Sequence, residues 1–248
     1  MKRNILIICA AIVAGYFLFD IYNGNSRIDL FESLDYENDP ILLYRLGVIS
    51  DGVFEKKKQI EYYTRAAELG NAAALYKMAH MYEHGISVPK DEQKAYDYYL
   101  RSAYLLYPES MYMVADANRY GNLGQPENID NAIKWYKSAL RFQIPSAAIQ
   151  LGRIYVGGKC VEKNIPLGYA YVYLAKYYGY LPAEDFLGDK SWLRPEDMPK
   201  MKEYFGKIIY ELYGVDSPND IEEFLENMKN ISHYTSIIAG SHWVLPEH

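Results

Sequence analysis

The chain has 248 residues, half of them hydrophobic and 23% charged, with a net charge of −6. This composition excludes an intrinsically disordered chain and supplies enough apolar side chains for one or two packed domains. The acidic balance excludes nucleic acid as a partner, because phosphate binding needs a basic face.

Lys2 and Arg3 precede an apolar run of 15 residues, Ile5 to Phe19, extended past Asp20 by Ile21 and Tyr22. A membrane-spanning helix needs about 17–25 residues, and a signal-peptide core about 7–15. Residues 1–22 therefore read as a membrane anchor or as a signal segment, with a buried soluble helix as a third reading. For cleavage, Gly24-Asn25-Ser26 is the available small-residue stretch. Asp20, Asp29, Glu32 and Asp35 follow the run with Arg27 opposing them, so the positive-inside rule predicts a cytoplasmic N-terminus and a body across the membrane. Without Lys2, Arg3 and Asp20 the chain has 24 basic and 31 acidic residues, no basic patch for anionic lipid. Residues 23–38 read as a linker. Cys9 and Cys160 lie too far apart in sequence to suggest a disulfide or a thiolate metal cluster.

From residue 39 the sequence repeats itself. Tyr62-Tyr63-Thr-Arg65-Ala66-Ala67 aligns with Tyr98-Tyr99-Leu-Arg101-Ser102-Ala103, with Trp135-Tyr136-Lys-Ser138-Ala139, and more loosely with Tyr171-Val172-Tyr-Leu-Ala175. Successive copies are offset by 36, 37 and 36 residues. The segments before them repeat in step: Tyr44-Arg-Leu46-Gly47, Tyr76-Lys-Met78-Ala79, Tyr112-Met-Val114-Ala115 and Ile149-Gln-Leu151-Gly152. Each unit is predicted to be helix, loop, helix. A small residue in the first helix (Gly47, Ala79, Ala115 or Gly152) admits the second helix closely, after a large apolar residue. Gly85 and Gly158 are expected to stop first helices, and Gly121 aligns with Gly85. Asp91, Asn128 and Asn164 are expected to cap second helices, because their side-chain oxygens satisfy orphan backbone N–H groups.

The run Gly85-Ile-Ser-Val88-Pro-Lys-Asp91-Glu-Gln-Lys94-Ala95 resembles the loop of the Sel1-like repeat family, relatives of tetratricopeptide repeats. The Tyr-Tyr-x-Arg-Ala-Ala-x-x-Gly-x-x-x-Ala pattern over Tyr62–Ala74 resembles it too. The likeness covers residues 39–190. Ser87 and Cys160 stand where a loop glycine is usual, the third loop carries an extra residue, and the first is about four residues short. The resemblance implies an all-α fold: a right-handed α/α superhelical solenoid of about four repeats. Residues 191–248 are expected to form capping helices and a tail, one helix opening at Leu193-Arg-Pro195 and running to Tyr213, another after the capping box Ser217-Pro-Asn-Asp220. The tail 231–248 is compatible with packing across the array end or with a loose end.

Such arrays bind other proteins in a concave groove, so the resemblance implies a non-enzymatic scaffold or adaptor with a protein partner. With the N-terminal segment it implies a single-pass protein of a bacterial inner membrane with its body in the periplasm, or a soluble periplasmic protein after cleavage. One alternative is an immunity protein that neutralises a secreted toxin such as a lipase. Another is a β-lactam hydrolase, argued against by the lack of paired cysteines in each repeat. No catalytic, metal or cofactor residue is assigned. His80-Met-Tyr-Glu83-His84 fits a zinc-binding spacing, but these positions fall in variable slots of a repeat helix. Cys160 has no neighbouring His in sequence to activate it, and Lys56-Lys57-Lys58 reads as a solvated loop.

A helical wheel at about 100° per residue locates the expected groove. Counted from the small residue, positions −5, −1 and +3 pack, while −3, +1, +4 and +5 form a separate stripe. That stripe supplies the partner-binding candidates Tyr44, Tyr76, His80, Glu83, Tyr112, Asp116, Arg119 and Arg153, with Ile149 in the fourth unit; the alternative is that the tyrosines only pack between neighbouring units.

Overall fold

The computed structural model describes residues 38–52, 56–180, 183 and 193–215. The apolar segment Ile5–Phe19, nearly all of the linker, and the helix expected after Ser217 lie outside these residues. The elements are α1 (Pro40–Gly52), α2 (Lys56–Glu68), α3 (Ala72–His84), α4 (Glu92–Tyr104), α5 (Pro108–Tyr120), α6 (Ile129–Leu140), α7 (Pro145–Gly157), α8 (Ile165–Tyr177), a 3₁₀ turn (Pro195–Asp197) and α9 (Met198–Tyr213). Two compact units divide at Leu105/Leu106. The first holds the hairpins α1/α2 and α3/α4. The second holds α5/α6, α7/α8 and α9. The Lys56–Lys58 run, expected in a loop, opens α2 instead; Lys56 and Lys57 stay exposed there, so solvent screens their conflict with the helix dipole.

The loops inside three hairpins are built alike. Gly85, Gly121 and Gly158 end their helices at φ 68°, 63° and 61°, a left-handed conformation that favours glycine. Asp91, Asn128 and Asn164 then cap the second helices, accepting from the N–H groups of Lys94, Asn131 and Leu167. The backbone N–H of each of these caps also reaches back to the helix just left, donating to the carbonyls of Tyr82, Asn118 and Tyr155. One residue thus pins the loop to both of its helices.

The small residues sit where the paired helices cross. Ala79 and Ala115 are fully buried. A Cβ on Gly47 would lie 2.4 Å from the Tyr63 ring, and one on Gly152 2.5 Å from Val172 and 3.0 Å from the Gly168 carbonyl. On either side of the small residue, at about −60° and +60° on the wheel, lie positions +3 and −3. Both lean on the second helix. At +3, Tyr82 stacks on Tyr98 (5.6 Å, 9°) and Tyr155 on Tyr171 (5.9 Å, 11°). Where +3 is Ser50 or Asn118, the buried polar side chain turns back on its own helix and donates to the carbonyl of Leu46 or Val114.

Neighbouring hairpins share cores within each unit. In the first, Leu43, Leu46, Tyr62, Ala66, Leu75 and Met78 belong to one cluster, and Asn71 joins the hairpins by donating to the Pro40 carbonyl at 3.1 Å while capping α3. In the second, α9 buries Met201, Phe205, Ile208 and Ile209. Phe205 meets Tyr173 and Tyr177 of α8, and the Tyr178 hydroxyl reaches both the Leu140 carbonyl (3.3 Å) and the Tyr213 hydroxyl (2.6 Å).

After each second helix comes one left-handed residue, again in repeat register: Gly70, Leu106, Gln143 and Gly179, at φ 85°, 63°, 59° and 78°. Leu106 and Gln143 carry a Cβ into a conformation costing roughly 1–2 kcal/mol. Gln143→Gly should raise unfolding free energy by a few tenths to about 1 kcal/mol, the relief being offset by a more flexible unfolded chain; denaturant titration reads it. Ala79→Leu should overpack the α3/α4 crossing and cost about 1–3 kcal/mol. A Leu variant that melts with the parent would mean that Ala79 is not the crossing residue.

Candidate partner-binding site

The candidate residues fall in both units, and each unit arranges its own. In the first, the Tyr44 ring packs on Tyr63 at 5.8 Å and the Tyr76 ring on Tyr99 at 5.6 Å. The buried Tyr99 hydroxyl donates to Glu83 Oε2 at 2.7 Å. Burial pushes the Tyr99 phenol far above its ordinary pKa, and the Glu83 carboxylate adds to this. The His80 ring lies against that of His84, 4.3 Å between centroids and tilted by 40°. Burial, then His84, lowers the His80 pKa.

In the second unit, the Tyr112 ring packs on Tyr136 at 5.7 Å. The Tyr136 hydroxyl donates to the Asp116 carboxylate. Gln150 Nε2 donates to the Tyr112 hydroxyl at 3.1 Å, and Arg119 donates to the Gln150 side-chain carbonyl. Burial raises the Asp116 pKa, opposed by hydrogen bonds from Tyr136 and Tyr112 and by the Arg119 charge. Burial, followed by Asp116, pushes the Tyr136 phenol far upward. Arg153 is exposed.

The −3 tyrosines are half-buried, each with its ring against the second helix of its own hairpin, and Ile149 is buried outright at 6% exposure. Their geometry makes them packing residues with polar tips. The +1 and +4 positions carry the charge: His80, Glu83, Asp116, Arg119 and Arg153. Tyr99, Tyr136 and Gln150 complete the two networks from outside the stripe. For Gln150 the signal was a polar residue inside the run Ala147-Ala-Ile-Gln150-Leu151, and it is buried there at 9% exposure.

No group of three or more His, Cys, Asp or Glu residues among those described is placed to hold a metal ion. Glu83, the middle member of the zinc-like spacing, is held by Tyr99. Cys160 is exposed, and its thiol donates to Glu127 Oε1 at 3.6 Å.

Asp116 makes the second network sensitive to pH. Its raised pKa means that the folded protein holds this proton more tightly than the unfolded chain. The associated stability is present below the unfolded value of 3.8 and is lost as pH rises through the higher folded pKa. Asp116→Asn should therefore flatten the fall in stability over that window relative to the parent. Denaturation midpoints measured from pH 3.5 to about 7 check this; parallel curves for the two proteins would contradict it.

Comparison with known proteins accords with this geometry. The Sel1 repeat family matches at residues 43–71, 72–105, 108–141 and 145–179, more than half of the chain and one match per hairpin. An exopolysaccharide production negative regulator of Rhizobium leguminosarum bv. viciae is 25% identical over 154 residues, 57% of this chain and 54% of that protein. Activator of C kinase protein 1 of Saccharomyces cerevisiae is 34% identical over 110 residues, 40% of this chain and 18% of that protein. The chain thus spans about half the length of the first relative and under a fifth of the second. The crystal structure of a Sel1 repeat protein from Oxalobacter formigenes superposes with a TM-score of 0.62 at 19% identity, covering 87% of this chain and 97% of that one. With its four matched hairpins and the shared fold, this chain belongs to the Sel1 repeat family.

Proposed function

We propose that the chain is a non-enzymatic scaffold that binds a partner protein through the charged edge of its first helices. Sel1 repeat proteins are protein-interaction scaffolds and regulators. The observation that carries the reading here is the network of Tyr112, Asp116, Arg119, Tyr136 and Gln150. A half-buried carboxyl whose ionisation is disfavoured is a poor choice for stability. The network fixes Arg119 and the tip of Tyr112 in position before any partner arrives, which lowers the ordering cost of binding. Arg and Tyr are also the side chains that most often anchor protein interfaces.

The N-terminal sequence supports a location for this activity. Lys2 and Arg3 before Ile5–Phe19, and acids after it, favour a tethered body on the non-cytoplasmic side of a bacterial inner membrane. No helix among the described residues is long and apolar enough to cross a membrane. A reporter fused after His248 that works only outside the cytoplasm should be active. Activity confined to a cytoplasm-only reporter would overturn the topology.

Affinity capture with the full chain from its own cell membranes should enrich one protein. Arg119→Ala should weaken that capture by about tenfold or more, with circular dichroism unchanged. A captured secreted toxin would favour the immunity role. Undiminished capture by the Arg119 variant would place the binding edge elsewhere.

A further inference from the structure

The last turns of α5 and α7 and the loops that follow them line a half-open cavity of about 170 Å³. Its charged lining is Arg119, Arg153 and Lys159, with a single carboxylate, Glu127, and the Cys160 thiol. Three cations against one acid is a local excess of positive charge in a chain whose net charge is −6. Arg153 and Lys159 are exposed and make no ion pair with any described residue. Arg119 is anchored on Gln150 and lies 5.0 Å from the ring centroid of the exposed Tyr120, and a guanidinium with five N–H groups keeps donors to spare. Glu127 is engaged by the Cys160 thiol at 3.6 Å, so the one native carboxylate stands at the cavity with an uncharged partner.

We infer that this cavity receives the carboxylate side chains of an acidic segment of the partner protein. The inference rests on the scaffold reading and specifies the partner's chemistry. The lining joins two arginines to an exposed tyrosine, the composition of an interface anchor. The rest of the protein is acidic and repels an acidic partner. The segment is therefore attracted only where the cations converge, which fixes its register. The same background disfavours a nucleic acid, whose backbone would extend beyond so small a site.

The probe is fluorescently labelled hexaglutamate, titrated into the full chain in a non-ionic detergent and followed by anisotropy. Hexaglutamate should bind and hexalysine should not, with affinity falling as salt is raised. Arg153→Gln with Lys159→Gln should weaken hexaglutamate by about tenfold without changing the melting temperature, because both side chains are exposed and form no ion pair with a described residue. Glu127→Gln should strengthen it by removing the competing carboxylate. An unchanged affinity in the double variant overturns the site. Displacement of the peptide by equimolar inorganic phosphate also overturns it, since the cavity would then hold any small anion. The partner-capture assay separates the two readings. A double variant that loses hexaglutamate but captures the partner undiminished overturns the cavity as a partner contact and leaves the scaffold standing. Hexaglutamate binding by a chain that captures no protein overturns the scaffold reading instead.

Discussion

The close crossing of the two helices in each hairpin is the constraint on which the remaining features depend. A Cβ at Gly47 or Gly152 would collide with the facing helix, and Ala79 and Ala115 are buried to the last atom. Once the crossing point is small, the flanking positions −3 and +3 straddle the second helix and must be filled by side chains that suit it. In the first three hairpins −3 is a tyrosine on a second tyrosine: 44 on 63, 76 on 99, 112 on 136. In the fourth, Ile149 and Val172 replace both rings at once. There the backbones come nearer, with Gly152 facing Gly168 so tightly that a Cβ on either would lie 3.0 or 2.9 Å from the other's carbonyl oxygen. The exchange conserves packing: two smaller side chains go with a closer approach, as a dense interior requires.

The same geometry generates the polar edge. A tyrosine on the second helix buries its ring at the crossing and brings its hydroxyl out beside the first helix, where burial demands an acceptor. Glu83 meets this demand from +4 and Asp116 from +1. These positions are three residues apart, one turn, and so share one helix edge. The acid is therefore fixed in space although it shifts in sequence. Packing dictates where the tyrosine hydroxyl emerges, the hydroxyl dictates where the acid sits, and the acid attracts Arg119 in the second unit.

Much of this was legible because repetition amplifies weak signals. The small residue, the apolar neighbour before it, the Gly stop and the Asx cap each recur at the same offset, so coincidence is a poor explanation for any of them. What could not be read were features made by tertiary contact. The wheel put the −3 tyrosines at a distance from the packing stripe, because a wheel drawn on one helix does not include the width of the partner's aromatic rings. The acid acceptors change register between hairpins, so alignment by repeat hides them. The left-handed residue after each second helix was visible as Gly70 and Gly179 but disguised as Leu106 and Gln143, where the turn imposes a conformation its residue does not prefer.

The end of the described array bears directly on the cavity beside Arg153 and Lys159. Asn164 caps α8 through its Oδ1, ties its N–H to the Tyr155 carbonyl, and donates its Nδ2 to the Tyr204 hydroxyl of α9 at 3.1 Å. This one side chain thus joins the loop carrying Lys159 and Cys160 to the helix that covers α8. In an array stabilised by neighbour contacts, a terminal hairpin lacking a cover frays first. The burial of Phe205 and Ile209 opposes that fraying and, through Asn164, restricts the loop that forms one wall of the cavity. A binding wall made of a loop needs such support, because cations on a mobile loop would give back in ordering cost much of what they gain by pairing. The capping helix therefore both closes the core of its unit and holds the geometry of the charged site one loop away.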